Sequence, residues 1–238
     1  LRRQRQMCIR DSVYPFYVIE QALNNPLVAD LVVHSMGYFP KAESHYIDRA
    51  SGCGEYLLIY CTKGEGWYVL DGKRYVVPEN HFFILPAEKP HQYGSSEHDP
   101  WYIYWAHFKG KKAKYISDQL QGVIPIDMDD NSRIGDRISF FDELLNVLES
   151  GTDEATVNYV NLSFNHLIAS FLYVKTYREA KFSKSKAENT FFISLATHFM
   201  TENLENKLTL KELASHFGYS ESYMYLSLIH ISEPTRRS

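Results

Sequence analysis

The sequence predicts an α+β protein: an antiparallel β-barrel of short strands, then a helical hairpin, then a small all-α domain. Three observations predict it. Short β-branched and aromatic runs divided by Gly, Pro, Asp and Asn fill the stretch from Glu55 to Gly110. After Gly122 the apolar residues recur at three- and four-residue steps. Near the other end, a capping box, a small residue and a turn glycine fall in register.

The runs Tyr56 to Thr62, Gly66 to Leu70, Lys73 to Val77, His81 to Leu85 and Trp101 to Phe108 read as strands. Asp71-Gly72 is the clearest hairpin, because a two-residue primed turn needs positive φ, which Asp and Gly tolerate. Pro78, Pro86 and Pro90 lack a backbone donor and so punctuate strands. Alternation along the last run puts Trp101, Ile103, Trp105 and His107 on one face, and only one face can line a cavity. A small barrel has a mouth, and mouths of barrels hold ligands. Ahead of these runs, Val13 to Phe39 is weakly patterned: Asn24-Asn25-Pro26 marks a turn, and Leu27 to His34 reads as a strand or a short helix.

In the helical part, Ile134, Ile138, Phe141, Leu145 and Leu148 share one face. Gly151-Thr152 ends that run and Asp153 caps the next, which carries Val157, Val160, Phe164, Leu167, Ile168, Phe171 and Leu172. The pair reads as an antiparallel hairpin. Glu179 to Lys186 is polar and reads as a linker. Phe191, Phe192, Leu195, Ala196 and Phe199 mark a further helix. Thr209 with Glu212 then starts a helix whose apolar face is Leu213, Ala214 and Phe217; Gly218 turns the chain and Ser220 caps another helix. Helix, tight turn, helix is a helix-turn-helix, whose second member enters the DNA major groove.

The strings Y-L-L-I-Y-C-T-K-G-E-G, D-G-K-R-Y, F-I-L-P-A-E-K-P-H-Q-Y and P-W-Y-I-Y-W-A-H-F-K-G resemble the sensory half of AraC-type bacterial transcription regulators. E-L-A-S-H-F-G-Y-S-E-S-Y resembles the first of their two helix-turn-helix units. The resemblance implies a cupin-like barrel that senses a small molecule, a sugar being favoured, and a hairpin that makes a homodimer. It also implies action on DNA and RNA polymerase, and no cofactor. By the same resemblance Arg49, Tyr93 and Trp105 match ligand-pocket positions, His91 and His107 lie beside them, and Ser220, Ser222 and Tyr223 belong to the DNA reader. A guanidinium grips hydroxyls or a carboxylate, and an indole face packs on a sugar ring. Ordinary structural roles are equally open: Tyr93 and Trp105 as core aromatics, Arg49 in a surface ion pair, both histidines as hydrogen-bonders. Metal-binding cupins use two histidines one residue apart, and His91-Gln92-Tyr93 breaks that pair while His98 falls in a loop. No nucleophile elbow, phosphate loop or H-E-x-x-H is present, so an enzyme is not expected. A metal-free cupin enzyme and a stand-alone sensing or dimerisation module are the rival readings.

Both ends are unlike protein. Residues 1–12 resemble the in-frame translation of a sequencing adapter, and 226–238 resemble its companion, so both are set aside as scars. Native sequence is then expected to stop at Tyr225, about one turn into the recognition helix. The expected domains are the barrel at 13–122, the hairpin at 123–178, a linker at 179–187 and a truncated helix-turn-helix at 188–225. Removing the scars' six Arg and two acidic residues takes Lys plus Arg from 25 to 19 and Asp plus Glu from 29 to 27, a net charge of about −8. An acidic chain confines any DNA contact to a local patch. Cys53 and Cys61 lack C-x-x-C spacing, which argues for a reducing compartment. With no spanning apolar run and no secretory signal, a cytoplasmic, membrane-free protein is expected.

Overall fold

The structure is a computed structural model that describes residues 10–126, 132–180, 199–200 and 209–217. The chain divides into two compact units, Leu1–Arg178 and Glu179–Ser238, each taken here by itself.

Among the described residues the first unit has ten strands: β1 (Arg10–Val13), β2 (Val32–Phe39), β3 (Tyr46–Arg49), β4 (Tyr56–Lys63), β5 (Gly66–Leu70), β6 (Lys73–Val77), β7 (His81–Leu85), β8 (His91–Ser95), β9 (Tyr102–Lys109) and β10 (Ile124–Pro125). Its helices are α1 (Phe16–Asn24), α2 (Lys111–Gln119), α3 (Ile134–Ser150) and α4 (Glu154–Leu172), with further helical residues over 174–178. The strands form two antiparallel sheets, one of six strands in the order β1-β2-β9-β4-β7-β10 and one of four in the order β3-β8-β5-β6. Asp71 and Gly72 both have positive φ, 50° and 74°, and make the expected primed turn between β5 and β6. Leu27 to His34 splits at Leu31: turn before it, β2 after it.

The sheets do not close into a barrel, which corrects the expectation drawn from the sequence. The chain changes sheet between β4 and β5 at Gly64, between β6 and β7 at Pro78 and Asn80, between β7 and β8 across Pro86 to Pro90, and between β8 and β9 at Pro100. Gly64, Asn80 and Glu88 take left-handed φ of 73°, 57° and 59°. Proline donates no hydrogen bond and a left-handed residue turns the backbone out of the ladder, so pairing stops at each crossing. Two sheets facing one another result, with a single parallel bridge from Glu65 to Pro100. Strand lengths and turn residues are alike in a barrel and in such a sandwich; only the pairing of edges separates them, and that pairing is not local.

The six-stranded sheet is the middle layer. Leu57, Ile59, Cys61, Phe83 and Ile103 point into the core shared with the small sheet. Leu58, Tyr60, Phe82, Tyr104 and Phe108 point into the core shared with the helices. This explains the unbroken apolar run of β4, since a strand buried on both faces cannot alternate. The α3–α4 hairpin covers the sheet with Phe141, Leu145, Phe164 and Phe171, all fully buried. Asp153 accepts the backbone N–H of Thr156 at 3.1 Å and so caps α4, as its place after Gly151-Thr152 predicts. Arg10, inside the stretch set aside as a scar, lies in β1 and forms an ion pair with Glu149 of α3 at 2.9 Å.

In the second unit α5 (Leu210–Phe217) opens with the expected capping box. Thr209 N–H donates to Glu212 Oε2 at 2.8 Å, and Glu212 N–H donates to Thr209 Oγ1 at 3.2 Å. Leu213 and Ala214 are buried against Phe199, Met200 and Leu210. The remainder of the expected helix-turn-helix, including Ser220, Ser222 and Tyr223, lies outside the described residues. Among the described residues no helix is long and apolar enough to cross a membrane.

Trp101 is completely buried, and its ring lies where a side chain at Gly66 would stand. Gly66→Ala is therefore expected to lower stability by about 1–3 kcal/mol, the usual cost of overpacking, read as a lower urea midpoint with unchanged slope.

Candidate ligand-binding site

A cavity of about 160 Å³ lies between the two sheets. The small sheet supplies Ile47, Arg49 and Tyr93 to its lining, and the large sheet supplies Leu57, Ile59, Ile103, Trp105 and His107. Phe39 and His45 complete the wall, and exposed Asp11 stands at the rim. Register explains the convergence. On one side Ile47 pairs with Tyr93 and Arg49 with His91. On the other, Trp105 lies between Gly37 and Ile59, and His107 is opposite Leu57. Because Ile103, Trp105 and His107 alternate along β9, one strand delivers all three to the same face.

Four of the five candidate ligand-binding residues line this cavity: Arg49, Tyr93 and Trp105, which were matched to pocket positions, and His107. His91 does not. It sits behind, its ring stacked 6.1 Å from that of Tyr93 and its Nδ1–H donated to the Lys89 carbonyl at 2.8 Å. Burial pushes the Tyr93 hydroxyl up to about 12, the Arg49 charge opposing it, so the phenol keeps its proton. Arg49 Nε and Trp105 Nε1 are buried without a hydrogen-bond partner, as is His91 Nε2. Buried donors normally find acceptors, so two orphaned N–H groups on opposite sides of one cavity mark a place for something else to bind.

Sequence reasoning missed three parts of this site. Gly37 lets the Trp105 indole lie against β2; a Cβ there would meet the ring Cζ2 at 2.5 Å. A glycine inside an apolar strand is a signal for such close approach. His45 accepts the Trp101 Nε1–H at 3.4 Å through Nδ1, which leaves Nε2 carrying its proton. Glu55 anchors the floor behind His107: its carboxylate lies 2.7 Å from His34 Nδ1, 3.5 Å from Lys109 Nζ and 3.5 Å from His107 Nδ1. Burial works against that carboxylate's charge, but the contacts with His34, His107 and Lys109 outweigh it and its pKa falls. Neither Glu55 nor Gly37 belongs to a local motif. Among the described residues no group of His, Cys, Asp and Glu is placed to hold a metal ion.

Burial pushes both His45 and His107 from 6.5 down to about 4. The unfolded chain takes up these protons first, so stability declines as pH falls from about 6.5 to about 4 and levels off below, where both states are protonated. Each histidine accounts for about 3 kcal/mol of this decline. Glu55, with its lowered pKa, adds a loss of the same sign at lower pH. Denaturant titrations across that range should show the slope, and His107→Gln should remove one histidine's share.

Residues 33–155 match the model of the AraC-like ligand binding domain family, which is slightly more than half of the chain. Over 106 residues the chain is 32% identical to the MmsAB operon regulatory protein of Pseudomonas aeruginosa; the match covers 43% of this chain and 34% of that protein. The chain thus spans about a third of the length of that curated relative. Among solved structures it is similar to the AraC-like transcriptional activator CuxR, at 12% identity and a TM-score of 0.35, covering 89% of this chain and 74% of that one. It is also similar to a cupin superfamily protein from Desulfitobacterium hafniense, at 14% identity and a TM-score of 0.27, covering 32% of this chain and 66% of that one. AraC-family proteins are a class of transcription regulators and not of enzymes. The match over residues 33–155 shows that the chain belongs to the AraC family, with an AraC-like ligand binding domain built around the cavity between its two sheets.

Proposed function

We propose that this chain is the sensing part of a ligand-responsive transcription regulator, that a small molecule binds between the two sheets, and that the helix-turn-helix begun by α5, truncated in this chain, reads DNA in the full-length parent. The observation that carries the sensing role is the pair of buried, unpartnered N–H groups, Arg49 Nε and Trp105 Nε1, at one cavity. Leaving them unmet costs free energy, and a ligand that accepts from both recovers it. Arg49, Tyr93, Trp105 and His107 act as the ligand contacts, and His91 supports Arg49 and Tyr93 from behind. The family resemblance favours a sugar, but the donors of Arg49 and the ring face of Trp105 suit a small carboxylate as well. Ser220, Ser222 and Tyr223 act at the DNA, the parent regulator works on RNA polymerase in the cytoplasm, and the domain limits follow the sequence reading.

The same reading assigns dimerisation to the hairpin. Its inner face is spent on the sheet, while Tyr159 and Leu162 on the outer side of α4, and Tyr173 just past its end, are 46%, 46% and 63% exposed. Their spacing puts them on one stripe of the helix, which a second copy of the chain would cover. Two coupled half-sites turn a modest DNA affinity into a useful one.

Two measurements test this. A bound ligand stabilises the fold, by about 2.7 kcal/mol at a hundred times its Kd, so thermal melts with candidate effectors should rise and Trp105→Ala should abolish the rise. Sedimentation should find a dimer that Leu162→Glu converts to monomer with little change in melting temperature, since Leu162 is on the outer stripe. A monomeric wild-type chain at tens of micromolar would remove the dimer from the proposal.

A further inference from the structure

Resting on the reading of this cavity as the effector site, we infer that the effector is a small organic anion: a monocarboxylate of about the size of isobutyrate, held by Arg49 and the Trp105 Nε1–H. Size is the first ground. A cavity of about 160 Å³ matches the roughly 150 Å³ that takes one benzene, so the ligand has about six to eight non-hydrogen atoms. A pentose or hexose is larger than that.

The second ground is the hydrogen-bonding character of the wall. Arg49 is the one permanent cation lining the cavity, and among the described residues it makes no ion pair with a carboxylate. Trp105 Nε1 offers only a donor, and the bond from Trp101 leaves His45 with its proton on Nε2. Tyr93 keeps its phenolic proton beside Arg49. Acceptors are scarce. Glu55 is taken up by His34, Lys109 and His107, and Asp11 stands exposed at the rim. His107 Nδ1 lies 3.5 Å from Glu55 without a hydrogen bond, and a neutral imidazole keeps a single acceptor nitrogen, enough for one hydroxyl. A sugar brings several hydroxyls, each with a proton to donate, and would leave most of them unmet. A carboxylate accepts only, and a guanidinium matches its geometry with two parallel bonds.

The third ground is the remaining wall. Ile47, Leu57, Ile59, Ile103 and Phe39 are apolar and suit a short alkyl group, not a second polar end.

The test is calorimetric titration of the intact chain at pH 7 with isobutyrate and lactate, and with isobutyramide and L-arabinose as neutral comparisons. At least one acid is expected to bind ten-fold or more tightly than isobutyramide, which has the same shape without the charge. Arg49→Gln should weaken the acid ten-fold or more and leave the amide unchanged, and Arg49→Lys should restore part of the loss. Trp105→Phe, which keeps the ring and removes the N–H, provides a second variant should Arg49→Gln fold poorly; it should weaken the acid by a smaller factor. If isobutyramide or L-arabinose binds as well as the acids, and Trp105→Ala abolishes that binding, the anion is wrong while the effector site stands. If none of the four binds, the anion inference falls; the effector-site reading falls only if Trp105→Ala also leaves an effector's rise in the thermal melts intact.

Discussion

The structure depends on β9 being buried on both faces. It lies between β2 and β4 in the six-stranded sheet, and its side chains alternate between two different tasks. Ile103, Trp105 and His107 face the cavity, while Tyr104, Ala106 and Phe108 face the helices. On that second face Tyr104 stacks 4.9 Å from Phe141 and donates its hydroxyl to Asp142 at 3.0 Å, and Phe108 lies 5.5 Å from Phe164. A displacement of β9 at the cavity is therefore also a displacement at α3 and α4. Close-packed interiors transmit such shifts instead of absorbing them.

The far end of the same helical layer is held by a buried cation. Arg137 has no solvent exposure and donates to the Ser170 carbonyl from Nη2 at 2.9 Å and to the Ser132 carbonyl from Nη1 at 2.6 Å. Burial lowers its pKa from the ordinary guanidinium value, but the carbonyls near the end of α4 offer the negative end of the helix dipole in place of a counter-ion. Its guanidinium lies 4.6 Å from the Tyr177 ring, and that of Arg133 lies 3.7 Å from it. Arg133 also donates to the Tyr177 carbonyl at 2.6 Å. Two arginines of α3 and its approach thus hold the helical turns that directly precede Glu179. Phe171, at 5.8 Å from Arg137 and 5.6 Å from the Tyr60 ring, connects this clamp to β4.

What was legible in the sequence was local. The Asp71-Gly72 turn, the Asp153 cap and the Thr209–Glu212 box each lie within four residues of chain, and the side chains and backbone needed for each are contiguous. The helical faces were legible too, because Phe141, Phe164 and Phe171 obey a period that burial enforces. The sheet closure was not. Whether β6 pairs with β5 alone or also with a strand of the other sheet is decided by crossings some twenty residues apart. The candidate site shows the same division. Arg49, Tyr93 and Trp105 came from resemblance and alternation put Trp105 and His107 on one face, whereas His45 at the wall, and Gly37 and Glu55 behind it, are set by the Trp101 contact, the register of β2 and the chain entering β4.

Opening the barrel into two facing sheets changes what a ligand does. In a barrel mouth a ligand fills solvent and touches a rim; a ligand in the proposed site would sit between Ile47 on one sheet and Ile59 and Ile103 on the other, in line with the core that holds those sheets together. Arg49 Nε and Trp105 Nε1 are buried without a protein partner, one on each side of the cavity. On the proposed reading, a ligand that accepts from both would bridge the sheets, so that its binding would be coupled to their packing. Since β9 belongs to one of those sheets and backs onto the hairpin, such coupling would be felt where Tyr104 meets Phe141.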